Sequence, residues 1–176
     1  MTIPPADFGK LFAEFRREAF RLETLSVYTM PDEQETFSAF KEGKPQPDRH
    51  KNAPWVATIR GNVESGKRMY RVHVVRRPLT EYLRYEMSWG YVRNSEAGEE
   101  FFILDVTERI NPLEGIPDFW AFDESAVVTM KYSDNGEFLG ARQEPTADAE
   151  KWLGIRDAAL AEAVPFAEWW AEHGRG

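Results

Sequence analysis

Three short apolar runs separated by turn residues constrain the fold of this chain more than any other feature of its sequence. Residues 118–123 (DFWAFD) and 126–132 (AVVTMKY) are rich in aromatic and β-branched residues, which favour strands. Residues 134–136 (DNG) supply a turn, after which residues 137–142 return as a hairpin partner. The sequence therefore predicts a sheet that contains these three strands. Its core is expected to include Phe119, Trp120, Phe122, Val127 and Val128.

Helical and strand-like patterns alternate along the rest of the chain. Apolar residues recur at three- and four-residue spacing over residues 7–24, and this spacing predicts an amphipathic helix. Further helices are predicted at residues 32–43, 54–65, 79–94 and 147–172, and further strands at residues 25–30, 68–76 and 101–106. Pro165 should break or kink the last helix, which belongs to a C-terminal helical segment, residues 147–176. This order predicts an α+β fold, in which residues 1–176 form a single domain with a mixed β-sheet flanked by helices.

One segment, residues 43–53, lacks the side chains that would be needed to form a core. Together with Pro54 it contains three prolines and almost no apolar residues. Such a composition is typical of exposed connections that cannot bury enough apolar surface to become ordered. We expect these residues to form a mobile loop.

Composition excludes several classes of protein. The 176 residues include no cysteine, which excludes a disulfide framework, a thiolate nucleophile and a cysteine-ligated metal and fits a reducing compartment. No apolar run approaches the roughly 20 residues of a membrane span, and the N-terminal residues lack the apolar core of a signal peptide. No glycine pattern matches a phosphate-binding loop or a dinucleotide fingerprint. We expect a cytoplasmic protein that needs no cofactor and does not bind membranes.

Charge is distributed unevenly along the chain. The net charge is −8, yet residues 60–93 contain eight basic and three acidic side chains. Residues 96–150 contain fourteen acidic and three basic side chains. Because the acidic remainder of the surface would repel a nucleic acid, direct DNA binding is not expected. The basic segment is expected to interact instead with a small anionic ligand or an acidic segment of a partner protein.

The candidate binding residues lie in and around this basic segment. Guanidinium groups bind phosphate and carboxylate groups, and aromatic side chains stack on the rings of ligands. The alternative is that the arginines pair with acids of the same chain and that the tyrosines form the rim of a core helix. Under the first interpretation, Arg71, Arg76, Tyr82, Arg84 and Trp120 line one concave surface, and the ligand-binding residues are Arg71, Arg76, Tyr82, Arg84, Glu86, Asp118, Trp120 and Asp123.

Catalysis and metal binding are two further alternatives. His73 could act as a base together with Asp118 and Asp123, but no partner stands at a diagnostic spacing, and a polar strand residue explains this histidine as well. The two aspartates could equally be turn and edge residues. The acidic residues between positions 96 and 108 could bind a divalent cation, although they lack EF-hand spacing and fit a solvated helix end and loop. We therefore expect no catalytic residue and no metal site.

Four sequence motifs resemble those of a known family. They are FRREAFRLET (15–24), RVHVVRRPLTEYLRYE (71–86), AGEE (97–100) and DFWAFDESAVVTMKYSDNGEFLG (118–140). In this order they resemble an actinobacterial family of domain-of-unknown-function proteins over roughly residues 8–142. Members of that family are often companions of helix-turn-helix transcription regulators. The resemblance implies a non-catalytic, ligand- or partner-binding accessory protein of such a regulator.

A more distant resemblance concerns the fold. The order of strand, helix, strand and loop before DFWAFDESAVV is similar to half of a phospholipase D-like domain. Enzymes of that kind carry a His-x-Lys motif followed by an aspartate. If Asp123 takes the place of that aspartate, Ile116 and Asp118 stand in the histidine and lysine positions. The resemblance thus implies a related fold without the hydrolytic residues, and it leaves a phosphodiesterase-class hydrolase with a degenerate site as the alternative function.

Overall fold

A mixed seven-stranded β-sheet forms the centre of the computed structural model, which describes residues 1–174. Its strands are β1 (Glu18–Glu23), β2 (Arg68–Val75), β3 (Glu100–Asp105), β4 (Phe119–Phe122), β5 (Ala126–Tyr132), β6 (Phe138–Gln143) and β7 (Val164–Pro165). Across the sheet they follow the order β6-β5-β4-β1-β2-β3-β7. The three strands β1, β2 and β3 run parallel, whereas the others pair antiparallel with their neighbours. The prediction of an α+β fold with a mixed sheet flanked by helices is confirmed.

Helices cover both faces of this sheet. They are α1 (Pro5–Glu14), α2 (Gln34–Lys41), α3 (Asp48–Lys51), α4 (Pro54–Glu64), α5 (Glu81–Tyr85), a π-helix (Glu86–Tyr91), α6 (Val92–Glu96), α7 (Ala149–Glu162) and α8 (Phe166–His173), with 3₁₀ turns at Pro31–Glu33 and Thr146–Asp148. Helix α7 packs on one face, which we call the α7 face. Helices α1, α2, α4, α5 and α8 pack on the opposite face, which we call the α5 face. Within residues 1–174 no helix is long and apolar enough to cross a membrane.

Alternation along the strands directs apolar side chains to the α7 face. Phe20, Leu22 and Val72 are fully buried there, in one cluster with Trp152 and Ala159 of α7. Burial of each such side chain stabilises the fold by about 1.5–3 kcal/mol. The prediction of five core residues is confirmed, since each is at most 4% exposed. These residues are Phe119, Trp120, Phe122, Val127 and Val128.

The helix predicted over residues 7–24 is wrong in its second half. Helix α1 ends at Glu14, and residues 18–23 form β1, which lies between β4 and β2 near the centre of the sheet. Phe20 and Leu22 alternate with Arg21 and Glu23, as a strand requires. Helical spacing fits the same apolar residues, so local pattern does not choose between helix and strand. Pairing with β4 on one edge and with β2 on the other selects the strand.

The strand predicted at residues 25–30 is also wrong. Only Thr29 makes a bridge, to Glu137, and the rest of this segment is irregular. The backbone leaves the sheet after Glu23 and is held by local contacts instead. The backbone N–H of Leu25 donates to the hydroxyl of Tyr28, and the carbonyl of Ser26 accepts from the hydroxyl of Thr80.

Several helix boundaries differ from the predicted ones. The helix predicted at residues 79–94 consists of α5, the π-helix and α6 in succession. The C-terminal segment divides at Pro165, which pairs with β3 as part of β7, and residues 175 and 176 lie outside the described residues. The predicted loop, residues 43–53, includes the single turn of α3, and its mobility stays a prediction.

We expect Phe122→Ala to lower the free energy of unfolding by about 3–5 kcal/mol, because it opens a cavity in β4, where Phe122 is 2% exposed. Phe138→Ala is the matched control, since Phe138 on the outermost strand β6 is 46% exposed. It should cost less than about 1 kcal/mol. Urea denaturation of both variants measures the difference, and equal costs would contradict the placement of β4.

Candidate functional site

Charged side chains stand side by side on the α5 face of the central strands. Arg21 and Glu23 on β1 lie in register with Arg71 and His73 on β2. Trp120 of β4 is the antiparallel partner of Arg21. Two arginines at neighbouring positions repel each other, so this arrangement requires counter-charges from other elements. We call these residues, with Glu99 and Asp118, the buried charge cluster.

Acidic side chains of the cluster neutralise Arg71. Its guanidinium donates to Glu99, which precedes β3, and to Glu23 at 3.0 Å. Burial would raise the pKa of Glu23, but Arg21, His73 and Arg71 outweigh that effect and lower this pKa to about 2. Glu23 therefore remains ionised, and Arg71 belongs to an internal ion-pair network.

Arg21 is bound less completely than Arg71. Its Nη2 donates to Asp118 at 3.4 Å and to the hydroxyl of Tyr132 at 3.1 Å. Its Nε is buried and has no hydrogen-bond partner within residues 1–174. The ring of Trp120 lies 5.6 Å from the guanidinium carbon of Arg21 and 5.4 Å from that of Arg71. One indole thus stabilises both cations through cation–π contacts.

Asp118 and Asp123 lie at opposite ends of β4 and serve different partners. Asp118 accepts hydrogen bonds from the backbone and hydroxyl of Thr24 at 2.9 and 2.6 Å and from the hydroxyl of Tyr28 at 2.5 Å. Asp123 accepts from three consecutive backbone N–H groups, those of residues 16–18, at 2.7 to 3.0 Å. Those bonds lower the pKa of Asp123 despite the opposing effect of burial. Both carboxylates are thereby occupied with holding β1 in place.

Both ring nitrogens of His73 are occupied by groups of the same chain. Its Nδ1 bonds to the hydroxyl of Tyr91 at 2.6 Å, its Nε2 lies 2.8 Å from the carbonyl of Leu25, and the residue is 1% exposed. Neither Asp118 nor Asp123 contacts it by a hydrogen bond. The structure does not bring together the three residues of the hydrolase alternative.

Two further glutamates meet at the edge of this network. The hydroxyl oxygen of Tyr82 lies 2.7 Å from Glu33 and 3.0 Å from Glu86. Burial, followed by the charges of Glu33 and Glu23, raises the pKa of Glu86 to about 8. Glu86 begins the π-helix, a conformation that is frequent at functional sites. Gly90 leaves room for it, since a Cβ there would stand 2.9 Å from the Glu86 carboxylate.

A separate cleft of about 600 Å³ lies beyond the carboxyl ends of β2 and β3. Arg84 lines it and has no ion pair or side-chain hydrogen bond within residues 1–174. Arg77 donates to Asp105 at 2.7 Å, and His173 lies 3.8 Å from the exposed Glu172. We call this the basic cleft; it is lined by Arg77, Pro78, Leu79, Arg84, Thr107, Glu172 and His173.

A larger cleft of about 890 Å³ separates residues 115–118 from the β5–β6 hairpin. Of the predicted site residues only Asp118 lines it, and its carboxylate already accepts four hydrogen bonds. Lys131 and Arg142 also line this cleft, together with Asp134. Its charges are therefore balanced.

The eight predicted binding residues do not share one concave surface. Arg71, Glu86, Tyr82, Asp118 and Trp120 belong to the interior network, because alternation along the strands points the strand residues into the α5 face. The other three lie elsewhere. Arg84 lines the basic cleft, Arg76 donates to the carbonyl of Val106 at 2.8 Å, and Asp123 lies at the far end of β4.

Sequence reasoning missed the residues that complete the network. One signal was present, because EAFRLE (18–23) alternates like RVHV (71–74) and places Arg21 and Glu23 on one face. The other partners come from loops and helices distant in sequence and gave no local signal: Tyr28, Glu33 and Tyr91.

The acidic residues between positions 96 and 108 are dispersed in the fold. Glu99 pairs with Arg71, Glu100 with Arg68, and Asp105 with Arg77. Within residues 1–174 no group of three or more histidine or carboxylate side chains is placed to hold a metal ion.

We expect Arg71→Ala to lower the free energy of unfolding by about 3–5 kcal/mol, because it leaves Glu99 and Glu23 buried without their cation. Arg68→Ala on the same strand is the matched control. Its ion pair with Glu100 is solvent-exposed and should contribute no more than about 1 kcal/mol. Urea denaturation of both variants tests this, and a small cost for Arg71→Ala would show that the network is not internally neutralised.

Comparison with known proteins identifies a family and a similar fold. Residues 6–171 match the family described as domain of unknown function DUF6879. No curated protein matches the chain. Among solved structures, the fold is similar to that of Nuc, a phospholipase D family member from Salmonella typhimurium, with a TM-score of 0.50, 12% sequence identity and 90% of each chain covered. This likeness confirms the expected phospholipase D-like fold and concerns the fold alone. Because the family match spans nearly its whole length, the chain belongs to the DUF6879 family.

Proposed function

We propose that this protein is a non-catalytic binding protein that recognises an anionic group in the basic cleft. The observation that carries this proposal is Arg84, a cation that lines a cleft and has no acidic partner within residues 1–174. Arg71, by contrast, is neutralised by two glutamates. Because an unpaired guanidinium in a cleft is a ready donor to phosphate or carboxylate, an external anion fits at this position.

The location of the basic cleft supports the same proposal. Arg77 and Thr107 follow the carboxyl ends of the parallel strands β2 and β3, and in open sheets ligands bind outside the carboxyl ends of strands. Trp169 and Arg77 both donate to Asp105, which fixes the wall of the cleft. A rigid wall lowers the entropy that is lost when a ligand binds.

The interior network supports binding over hydrolysis. A general base needs a free nitrogen or oxygen within reach of the substrate. His73 and Asp118 have their hydrogen-bonding atoms occupied by groups of the same chain. This occupancy supports binding over a phosphodiesterase-class reaction that would use His73 or Asp118 as its base.

We further propose that the anionic group belongs to an acidic segment of a helix-turn-helix transcription regulator. The motifs of this chain resemble those of proteins that accompany such regulators, and an accessory protein of this kind requires a surface for a protein segment. A free phosphate or carboxylate ligand would use the same guanidinium chemistry. The two sources are distinguished by what binds to the purified protein.

Arg84→Glu tests the cleft. The melting temperature should change little, because Arg84 has no internal partner to lose. Binding of a regulator encoded near this protein, or of inorganic phosphate, should weaken by at least roughly tenfold, since a charge-assisted hydrogen bond contributes about 1.5–3 kcal/mol. Isothermal titration calorimetry with each probe gives the affinities.

Arg60→Glu is the matched control, because Arg60 is an exposed arginine on α4 outside the cleft. It should retain the affinity of the unmodified protein. An Arg84→Glu variant that keeps every interaction would remove the basic cleft from consideration. Turnover of a phosphodiester substrate that disappears in Asp118→Asn would establish the hydrolase alternative instead.

A further inference from the structure

One tyrosine hydroxyl lies between two carboxyl groups, and this limits how many protons the three groups can hold. The hydroxyl oxygen of Tyr82 lies 2.7 Å from Glu33 Oε2 and 3.0 Å from Glu86 Oε2. A phenol has a single hydrogen to donate. Both contacts are hydrogen bonds only if one of the two carboxyl groups is protonated and donates to the tyrosine oxygen.

Glu86 is the group whose surroundings favour the protonated form. It lies in the π-helix over the buried charge cluster, and Gly90 lets its side chain lie against the helix backbone. Burial and the like charges of Glu33 and Glu23 raise the pKa of Glu86, and the hydrogen bond from Tyr82 and the charge of Arg71 do not outweigh them. An uncharged Glu86 relieves this repulsion.

Glu33 belongs to a part of the chain that has no strand pairing of its own. Residues 31–53, which we call the cover segment, comprise the first 3₁₀ turn, α2 and α3. They rest on α5 and the π-helix through the hydroxyl pair Thr36–Tyr85 at 2.7 Å and through aromatic contacts of Phe37 and Phe40. Such a segment opens more easily than the sheet beneath it.

We propose that Glu33, Tyr82 and Glu86 form a proton-dependent clasp, which holds the cover segment on the π-helix while the glutamates share a proton and loosens it when that proton leaves. The anionic pair would repel across the tyrosine, and the tyrosine could donate to only one partner. This proposal is independent of the basic cleft, whose lining residues include none of the clasp residues.

The direction of the pH effect follows from the environment of Glu86. Its pKa is raised to about 8, so the stabilisation is fully present below the ordinary carboxyl range and is lost as the pH rises towards 8. The charged and titratable groups that face the pair are Arg21 and Glu23 of β1, Arg71 of β2, Tyr82 and Tyr85 of α5, Tyr91 of the π-helix and Arg93 of α6.

His50 of α3 titrates in a different window. Burial, followed by the charges of Arg93 and Arg49, lowers its pKa to about 4. Its protonation therefore destabilises the cover segment only as the pH falls below the ordinary histidine range. Measurements above neutrality isolate the contribution of the glutamate pair.

Hydrogen exchange measured by mass spectrometry tests the clasp. Exchange of peptides from residues 31–53 is compared between the unmodified protein and Glu86→Gln at each pH, so that the intrinsic pH dependence of exchange cancels. The exchange rate of the unmodified protein, divided by that of Glu86→Gln, should rise by up to about tenfold per pH unit between neutrality and the pKa of Glu86. It should level off above that pKa, because opening releases one proton only while Glu86 is protonated in the closed state. Peptides from β1 and β2 should show no such rise.

Glu81→Gln is the matched control, since Glu81 is an exposed glutamate of α5 and should leave the pH dependence intact. Glu33→Gln provides a second variant if Glu86→Gln does not fold; by removing the neighbouring charge it should move the rise to lower pH. A ratio that does not change with pH, or an exchange rate of residues 31–53 in Glu33→Gln that keeps the pH dependence of the unmodified protein, would overturn the proposal.

Discussion

The neutralisation of two adjacent arginines determines how the α5 face of the sheet is built. Arg21 and Arg71 are cross-strand neighbours on the central strands and are mostly buried. Acids from β1, from the turn before β3 and from the start of β4 converge on them. An uncompensated charge at this depth would cost several kcal/mol, so the loops that bring these acids are held in place by the same contacts.

The part of the fold that local pattern determines was predictable. The strands from β2 to β6 follow from alternating or continuous apolar runs bounded by turn residues, and Gly43 and Gly66 end helices in the left-handed conformation. Strand β1 was not predictable in this way. Its apolar residues fit helical spacing too, and only pairing with β2 and β4 selects the extended form.

The interior site was predictable only in pieces. Alternation in RVHV places Arg71 and His73 on one face, but nothing in that segment indicates that helices cover the face. The contact between Glu33 and Tyr82 joins residues 49 positions apart, and no spacing within either segment indicates it. The separation of Arg84 from Arg71 likewise depends on where α5 sits beyond the end of β2, which is a tertiary property.

These observations separate Arg21 and Arg71, which acids of the same chain neutralise, from Arg84 in the basic cleft, which has no acidic partner within residues 1–174. Diffraction from crystals soaked in selenate, a phosphate-like anion with an anomalous signal, tests this division most directly. We expect an anomalous peak within hydrogen-bond distance of the Arg84 guanidinium and none in the buried charge cluster. A peak at Arg21 or Arg71 with an empty basic cleft would contradict it.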